Sequence, residues 1–207
     1  IAGVSSKVLA GEVVTMSVDR EHIPAKHRQL IRAFLDEADM SADAIKTVDF
    51  PPACGADIVV SCEKTKDPKN GSIYLKPTQF VLGVGCRRGT VFENIDSAIR
   101  QSLLKLQIDI SDIDMIASID VKKDEPGIKD FCDRNRIEFV TYTADELMAV
   151  QGEFSASQFV KEHVGVDNVC ERAAVLACSR ECNKAGKLVY KKHKYDGVTV
   201  AAAKYPD

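Results

Sequence analysis

No apolar run in the 207 residues approaches the ~18 that a membrane-spanning helix requires, which excludes a transmembrane chain. An excess of one charge is also lacking. Twenty-eight Lys and Arg stand against 31 Asp and Glu, a net charge of -3, so a sequence-independent nucleic-acid binder is excluded and any basic patch is local. No Cys-x-x-Cys pair occurs, and the four histidines share no ligand spacing with one another or with cysteine, so no protein-bound metal is expected. The seven cysteines are odd in number and spread through apolar segments, which is not the pattern of a disulfide framework and points to a reducing, cytoplasmic setting. The first residues, IAGVSSKVLAGEVV, have neither the basic start nor the apolar stretch of a signal peptide. No Met opens them, so an upstream part is expected to be missing. What is present, 45% hydrophobic and 29% charged residues, is the composition of a globular protein with room for one large domain or two small ones.

Residues 12–19, EVVTMSVD, read as a strand, and Pro24 opens a helix whose Leu30, Ile31, Phe34, Leu35 and Ala38 share one face. A second strand at 56–62, the turn-rich TKDPKNGS and a short IYLKP complete a small α/β segment. From Phe80 the apolar run FVLGVGC predicts a buried strand that stops at Cys86-Arg87-Arg88-Gly89. Thr90 and Glu93 form a T-x-x-E capping box for a helix burying Phe92, Ile95, Ile99, Leu103 and Leu106. IDMIASID, a helix opening near Pro126, and IEFVTYT with a Thr143-to-Glu146 box continue the alternation. Two further helices, one from a Ser155-x-x-Gln158 box and one from about Asp167, precede a hairpin turning near Tyr195-Asp196-Gly197 into VTVAAA. The expected class is α/β: a small α/β segment over 1–77, then a three-layer α/β domain over 78–207 with a mixed, mainly parallel sheet.

Parallel βαβ units send the loops after their strands to one edge of the sheet, where ligand crevices form. Those loops are Cys86 to Thr90, Asp120 to Glu125 and Tyr142 to Asp145. Gly83, Gly85 and Gly89 with Arg87, Arg88 and Thr90 make a glycine-rich turn at a helix start, suited to an anion because N–H groups and two guanidinium forks converge there. The P-loop and dinucleotide frames are both absent, so a nucleotide is not the first expectation. The blander alternative is that the glycines only allow close helix–strand packing and that the arginines are solvated. Cys86 stands where a helix start and two cations would depress its pKa, a setting for a nucleophile, although a strand-end cysteine can equally be a packing residue. Asp120 and Glu93 are candidate bases, and Lys122 and Glu125 belong to a charge-dense loop on the same edge. Cys170, Cys178 and Cys182 read as small apolar packing residues, and the lysines at 187, 191, 192 and 194 make the hairpin locally basic.

VLGVGCRRGT, SIDVKKDEPG, TADELMAV, VGVDNVCERAAVLA and the closing K-x-K-x-x-G-V-T-V-A occur in that order. This succession resembles the CbiG family of cobalamin-biosynthesis proteins over 80–203, with residues 8–77 similar to the family's central segment and its amino-terminal domain absent. The same C-terminal domain is also similar to CobE of the aerobic pathway. The resemblance implies cobalt-precorrin-5A hydrolase activity in the anaerobic route to vitamin B12: opening of the ring A δ-lactone with release of acetaldehyde. It implies no cofactor, cobalt being carried by the tetrapyrrole substrate, and neighbouring pathway enzymes as further partners. On this reading Asp120, Glu93 or Cys86 would do the chemistry, the N–H groups around Gly85 to Thr90 would face an oxyanion, and the cationic loop would hold substrate carboxylates. The alternative class is a non-catalytic corrinoid-binding or hand-over module.

Overall fold

β-Branched and apolar residues set the strands of two separate sheets. The computed structural model describes residues 2–21, 23, 27, 31, 33, 45–52, 55–61, 72–155, 165–182 and 185–206. The chain divides into two compact units, Ile1–Pro77 with Asp207, and Thr78–Pro206.

In the first unit, helix α1 (Ala2–Leu9) leads to β1 (Val14–Val18), which lies between β2 (Ile45–Val48) and β3 (Ile58–Val60). With β4 (Ile73–Leu75) they form a wholly parallel sheet in the order β2-β1-β3-β4. Asp57 ties this unit together. Its carboxylate accepts from Lys7 Nζ at 2.6 Å and from the N–H and hydroxyl of Thr15 at 2.8 Å, and these donors, the Lys7 bond foremost, lower its pKa to about 2. Helix α1 and strand β2 were not foreseen, because one has barely two turns and the other is four residues of IKTV with neither end buried. Most of the expected helix after Pro24 lies outside the described residues, although residues 27, 31 and 33 are described and helical, and so does most of the TKDPKNGS turn.

The second unit runs β5 (Phe80–Cys86), α2 (Phe92–Leu106), β6 (Ile113–Ile119), α3 (Pro126–Asn135), β7 (Glu138–Tyr142), α4 (Ala144–Ala149), α5 (Val169–Cys182), β8 (Lys187–Lys194) and β9 (Val198–Lys204). Its sheet order is β7-β6-β5-β9-β8, with β5, β6 and β7 parallel and β9 antiparallel to both its neighbours. The sheet is therefore mixed and mainly parallel, as expected. Alternation along the strands feeds two cores. Leu82, Val84, Ile116, Val200 and Ala202 pack with Ile95, Ile99, Ile128 and Phe131 of α2 and α3. Val81, Met115, Ala117, Ile119 and Ala203 pack with Leu147, Ala173, Ala174, Ala177 and Cys178 of α4 and α5. The result is three layers, helix on sheet on helix.

Helix α5 is fixed by a buried carboxylate. Glu171, fully enclosed, accepts from the Ser155 N–H and hydroxyl, both at 2.8 Å, and from the Lys192 N–H at 2.6 Å. Burial alone would push its carboxyl up, but these donors together hold it below the usual carboxylate range. Asn168 Oδ1 accepts from the Glu171 N–H at 3.0 Å and so caps the helix start. Cys170 and Cys178 are buried packing residues in α5, and burial pushes the Cys170 thiol up to about 12. The helix expected from the Ser155 box, and the side chain of Cys182, lie outside the described residues.

Candidate functional site

Because β5, β6 and β7 are parallel neighbours, their carboxyl ends share one edge, and the antiparallel β9 begins at that edge as well, with Val198 opposite Cys86. Three segments meet there. The Arg87 N–H donates to Gly197 O at 2.9 Å, joining the β5 loop to the β8–β9 turn. The Gly89 N–H donates to Glu125 Oε1 at 2.6 Å, joining it to the loop after β6. Lys122 Nζ donates to Glu125 Oε2 at 2.8 Å, so one buried carboxylate closes both bonds. Gly127 lets the same loops approach: a Cβ there would stand 2.3 Å from Thr90 O.

The anion turn differs in detail from its expected form. Val91, not Thr90, is the residue capping α2, and no side chain caps the helix. Left-handed Gly89, at φ 73°, carries the chain round. The Thr90 hydroxyl donates instead to Arg87 O at 2.7 Å, closing the turn one residue before the helix and leaving Glu93 exposed in its first turn. The N–H groups expected to face an oxyanion are largely used internally. Those of Arg87, Gly89 and Thr90 go to Gly197, Glu125 and Arg87 respectively.

Gly83 and Gly85 do not belong to the anion turn. Gly83 lies buried beneath α5, where a Cβ would be 1.7 Å from Cys170 O, and a Cβ on Gly85 would be 2.7 Å from Thr199 Oγ1. Here the packing alternative holds. For Cys86 the balance favours the packing reading: burial pushes its thiol up, the nearby Lys122 charge and the Thr90 hydroxyl oppose this only in part, and Glu125 adds to it. At neutral pH the sulfur is a thiol, not an activated thiolate. Lys122 and Glu125 satisfy each other, so neither is a free charge for a ligand. Asp120 remains half-buried at the start of a 3-10 turn, Asp120–Lys122.

What the edge presents outward is Arg87 and Arg88. Both are exposed, and among the described residues neither guanidinium has a hydrogen-bonding or ion-pair partner. By contrast the third loop is internally satisfied, since Thr143 and Glu146 form their capping box and Arg180 pairs with Glu146 at 2.6 Å. In the first unit a cleft of about 480 Å³ is lined, among the described residues, by Asp19, Glu21 and Asp49 against Arg20, a balance of the wrong sign for a polycarboxylate. Among the described residues no helix is long and apolar enough to cross a membrane, and no group of three or more His, Cys, Asp or Glu is placed to hold a metal.

The tie through Glu125 and the docking of Gly197 escaped the sequence reading. Glu125 was visible only as one of five charges in a run. Gly197 was visible as a turn residue, but nothing in its neighbours says that β9 would insert beside β5. Replacing Glu125 by alanine is expected to leave the Gly89 N–H and the largely buried Lys122 ammonium unpaired, at a cost of about 2–3 kcal/mol in denaturant unfolding. A loss below about 0.5 kcal/mol would show that the two loops hold their places without it.

Similar proteins are named for cobalamin biosynthesis. The chain is 33% identical over 137 residues to a protein named probable cobalt-precorrin-5A hydrolase from Methanocaldococcus jannaschii, covering 64% of this chain and 42% of that one. It is 31% identical over 138 residues to the cobalt-precorrin-5A hydrolase of Priestia megaterium, covering 67% of this chain and 35% of that one. The chain thus spans less than half the length of these relatives. Among solved structures, CobE, a protein from the cobalamin biosynthetic pathway, superposes with a TM-score of 0.57 at 25% identity, covering 60% of this chain and 89% of CobE. A cobalamin biosynthesis protein G homolog from Sulfolobus solfataricus shares the fold at a TM-score of 0.50 and 19% identity, covering 100% of this chain and 55% of that one. Residues 80–203, from the first strand of the second unit into the last, match the family described as Cobalamin synthesis G C-terminus, and it is to this family that the chain belongs.

Proposed function

We propose that the second unit is the carboxylate-gripping part of a cobalt-precorrin-5A hydrolase, acting in the anaerobic route to cobalamin. The observation that carries this reading is the pair Arg87 and Arg88, adjacent, exposed and unpartnered among the described residues, at the loop edge of a parallel sheet. A cobalt-precorrin is a ring bordered by acetate and propionate groups, and arginine forks match carboxylates two bonds at a time. The names of the similar proteins supply hydrolysis of cobalt-precorrin-5A, and the family resemblance implies that water opens the ring A δ-lactone and a two-carbon unit leaves as acetaldehyde. Asp120, half-buried beside the cationic loop, is the carboxylate we assign to activating that water, in preference to the exposed Glu93. Cobalt enters with the substrate.

One observation favours a second reading, a corrinoid-binding or hand-over module without turnover. CobE is covered over 89% of its length, so a unit of this size exists as a protein in its own right. The discriminating experiment is an anaerobic incubation of the 207-residue chain with cobalt-precorrin-5A, following acetaldehyde and corrinoid absorbance in one sample. Acetaldehyde above a protein-free control, lost in Asp120→Asn while the spectral change of binding is kept, is the expected result. Binding without release supports the module, and neither signal overturns both readings.

A further inference from the structure

Among the described residues of the second unit, five large apolar side chains are more than a third exposed: Val91, Leu104, Val121, Met148 and Val189. Single exposed apolar residues need no explanation. Leu104 lies along α2, Met148 in α4 and Val189 on the edge strand β8, each on a different element. Val91 and Val121 differ in where they stand. Val91, 55% exposed, caps α2 directly after the Arg87–Thr90 turn, and Val121, 67% exposed, occupies the middle of the 3-10 turn Asp120–Lys122. Both therefore stand in loops at the edge that carries the unpartnered arginines.

Neither valine is on a loose loop. The segment before Val91 is held by Gly89 on Glu125, and the segment after Val121 by Lys122 on the same carboxylate. Gly127 at the start of α3 brings its backbone against Thr90 and Val91, with a hypothetical Cβ 3.1 Å from the Val91 carbonyl carbon. The sequence around Val121, Asp-Val-Lys-Lys-Asp-Glu, would be more soluble with any polar residue there. An apolar group kept on a braced turn beside free cations suits a ligand that is apolar in its middle and anionic at its rim.

We propose that Val91 and Val121 form the apolar seat for the ring face of a polycarboxylate tetrapyrrole, while Arg87 and Arg88 take carboxylates at its border. This rests on the reading that the edge binds a corrinoid. The two valines set selectivity for a ring over an open-chain polyanion, because a ring face brings apolar area to cover them that an open-chain polyanion lacks. Covering two exposed valines removes apolar area worth roughly 25 cal/mol per Å² from water, enough for about a 5- to 20-fold change in affinity.

The test uses the 207-residue chain and two probes, the heptacarboxylate corrinoid cobyrinic acid, followed by absorbance, and ring-free butanetetracarboxylate, followed by calorimetry. The double variant Val91→Ser, Val121→Ser is expected to bind cobyrinic acid about 5- to 20-fold more weakly with its binding of butanetetracarboxylate and its circular dichroism unchanged. Val121→Leu, which keeps an apolar group, is expected to bind as the unaltered chain does. If the serine variant keeps full affinity for cobyrinic acid while Arg87→Ala, Arg88→Ala loses it, the seat is overturned and the corrinoid reading stands. If the unaltered chain does not bind cobyrinic acid, or the arginine variant binds it equally well, the corrinoid reading falls and the seat with it.

Discussion

Replacing Arg87 and Arg88 together by alanine is expected to weaken binding of a polycarboxylate corrinoid by roughly 100-fold at low salt, with no change in unfolding midpoint. An exposed ion pair is worth at most about 1 kcal/mol, but a charge-assisted arginine–carboxylate bond from which the ligand excludes water is worth about 1.5–3. Taking a value near the boundary, each side chain contributes about tenfold. Stability should be untouched because neither guanidinium has a partner among the described residues to lose. Arg87→Lys, Arg88→Lys sharpens the test: it keeps both charges and removes the planar fork, so it should recover only part of the loss. Raising ionic strength from 0.02 to 0.5 M should erode wild-type affinity more than that of the alanine variant, since the screening length falls below about 10 Å. Equal affinities for wild type and the alanine variant would detach the two arginines from any anionic ligand.

Gly83→Ala is expected to be the most destabilising single substitution in the second unit, at about 3 kcal/mol or more. The new Cβ would stand 1.7 Å from the Cys170 carbonyl oxygen, 2.6 Å from its carbon and 3.1 Å from the Ala174 nitrogen, all backbone of α5. No rotamer relieves a clash with backbone, so the helix itself must lift from Val81, Ala203 and Met115 and open space along the core that Ala173, Ala174 and Ala177 share. Gly85→Ala makes the useful comparison. Its Cβ would meet only the Thr199 hydroxyl, at 2.7 Å, which can turn away, so its cost should be clearly smaller. Urea midpoints of the two variants, measured beside wild type, decide the matter. Equal midpoints for Gly83→Ala and wild type would mean that α5 shifts without cost.

The second unit was legible because its signals are strong and local. Three parallel strands, the first a seven-residue apolar run, and a proline-opened helix each announce themselves within a dozen residues; the strands were found within a residue of their observed bounds and the helix at its observed start. The first unit was harder, because its strands are three to five residues long and β2 carries no alternation. At the site, Arg87 and Arg88 were legible because nothing internal uses them. Lys122, Glu125 and Cys86 were less legible: Lys122 and Glu125 pair within their own loop, the Gly89 N–H reaches Glu125 from another, and Cys86 owes its raised thiol first to burial, none of which shows in a run of residues. The T-x-x-E pattern at Thr90 failed because a hydroxyl can donate backward to a turn carbonyl as readily as accept from a helix N–H.

The placing of β9 has a consequence for how the unit comes into being. β5 is the first of its strands to leave the ribosome and β9 the last, yet they lie side by side along their whole length, Phe80 against Lys204 and Cys86 against Val198. Until the last strand emerges, β5 has β6 on one flank and an open row of N–H and C=O groups on the other, with α5 lacking half of the floor it rests on. The nascent unit therefore waits as an unfinished sheet whose most apolar strand is bare on one side, and the moment of risk for self-association falls late in translation, ending only when β9 slots in between β5 and β8.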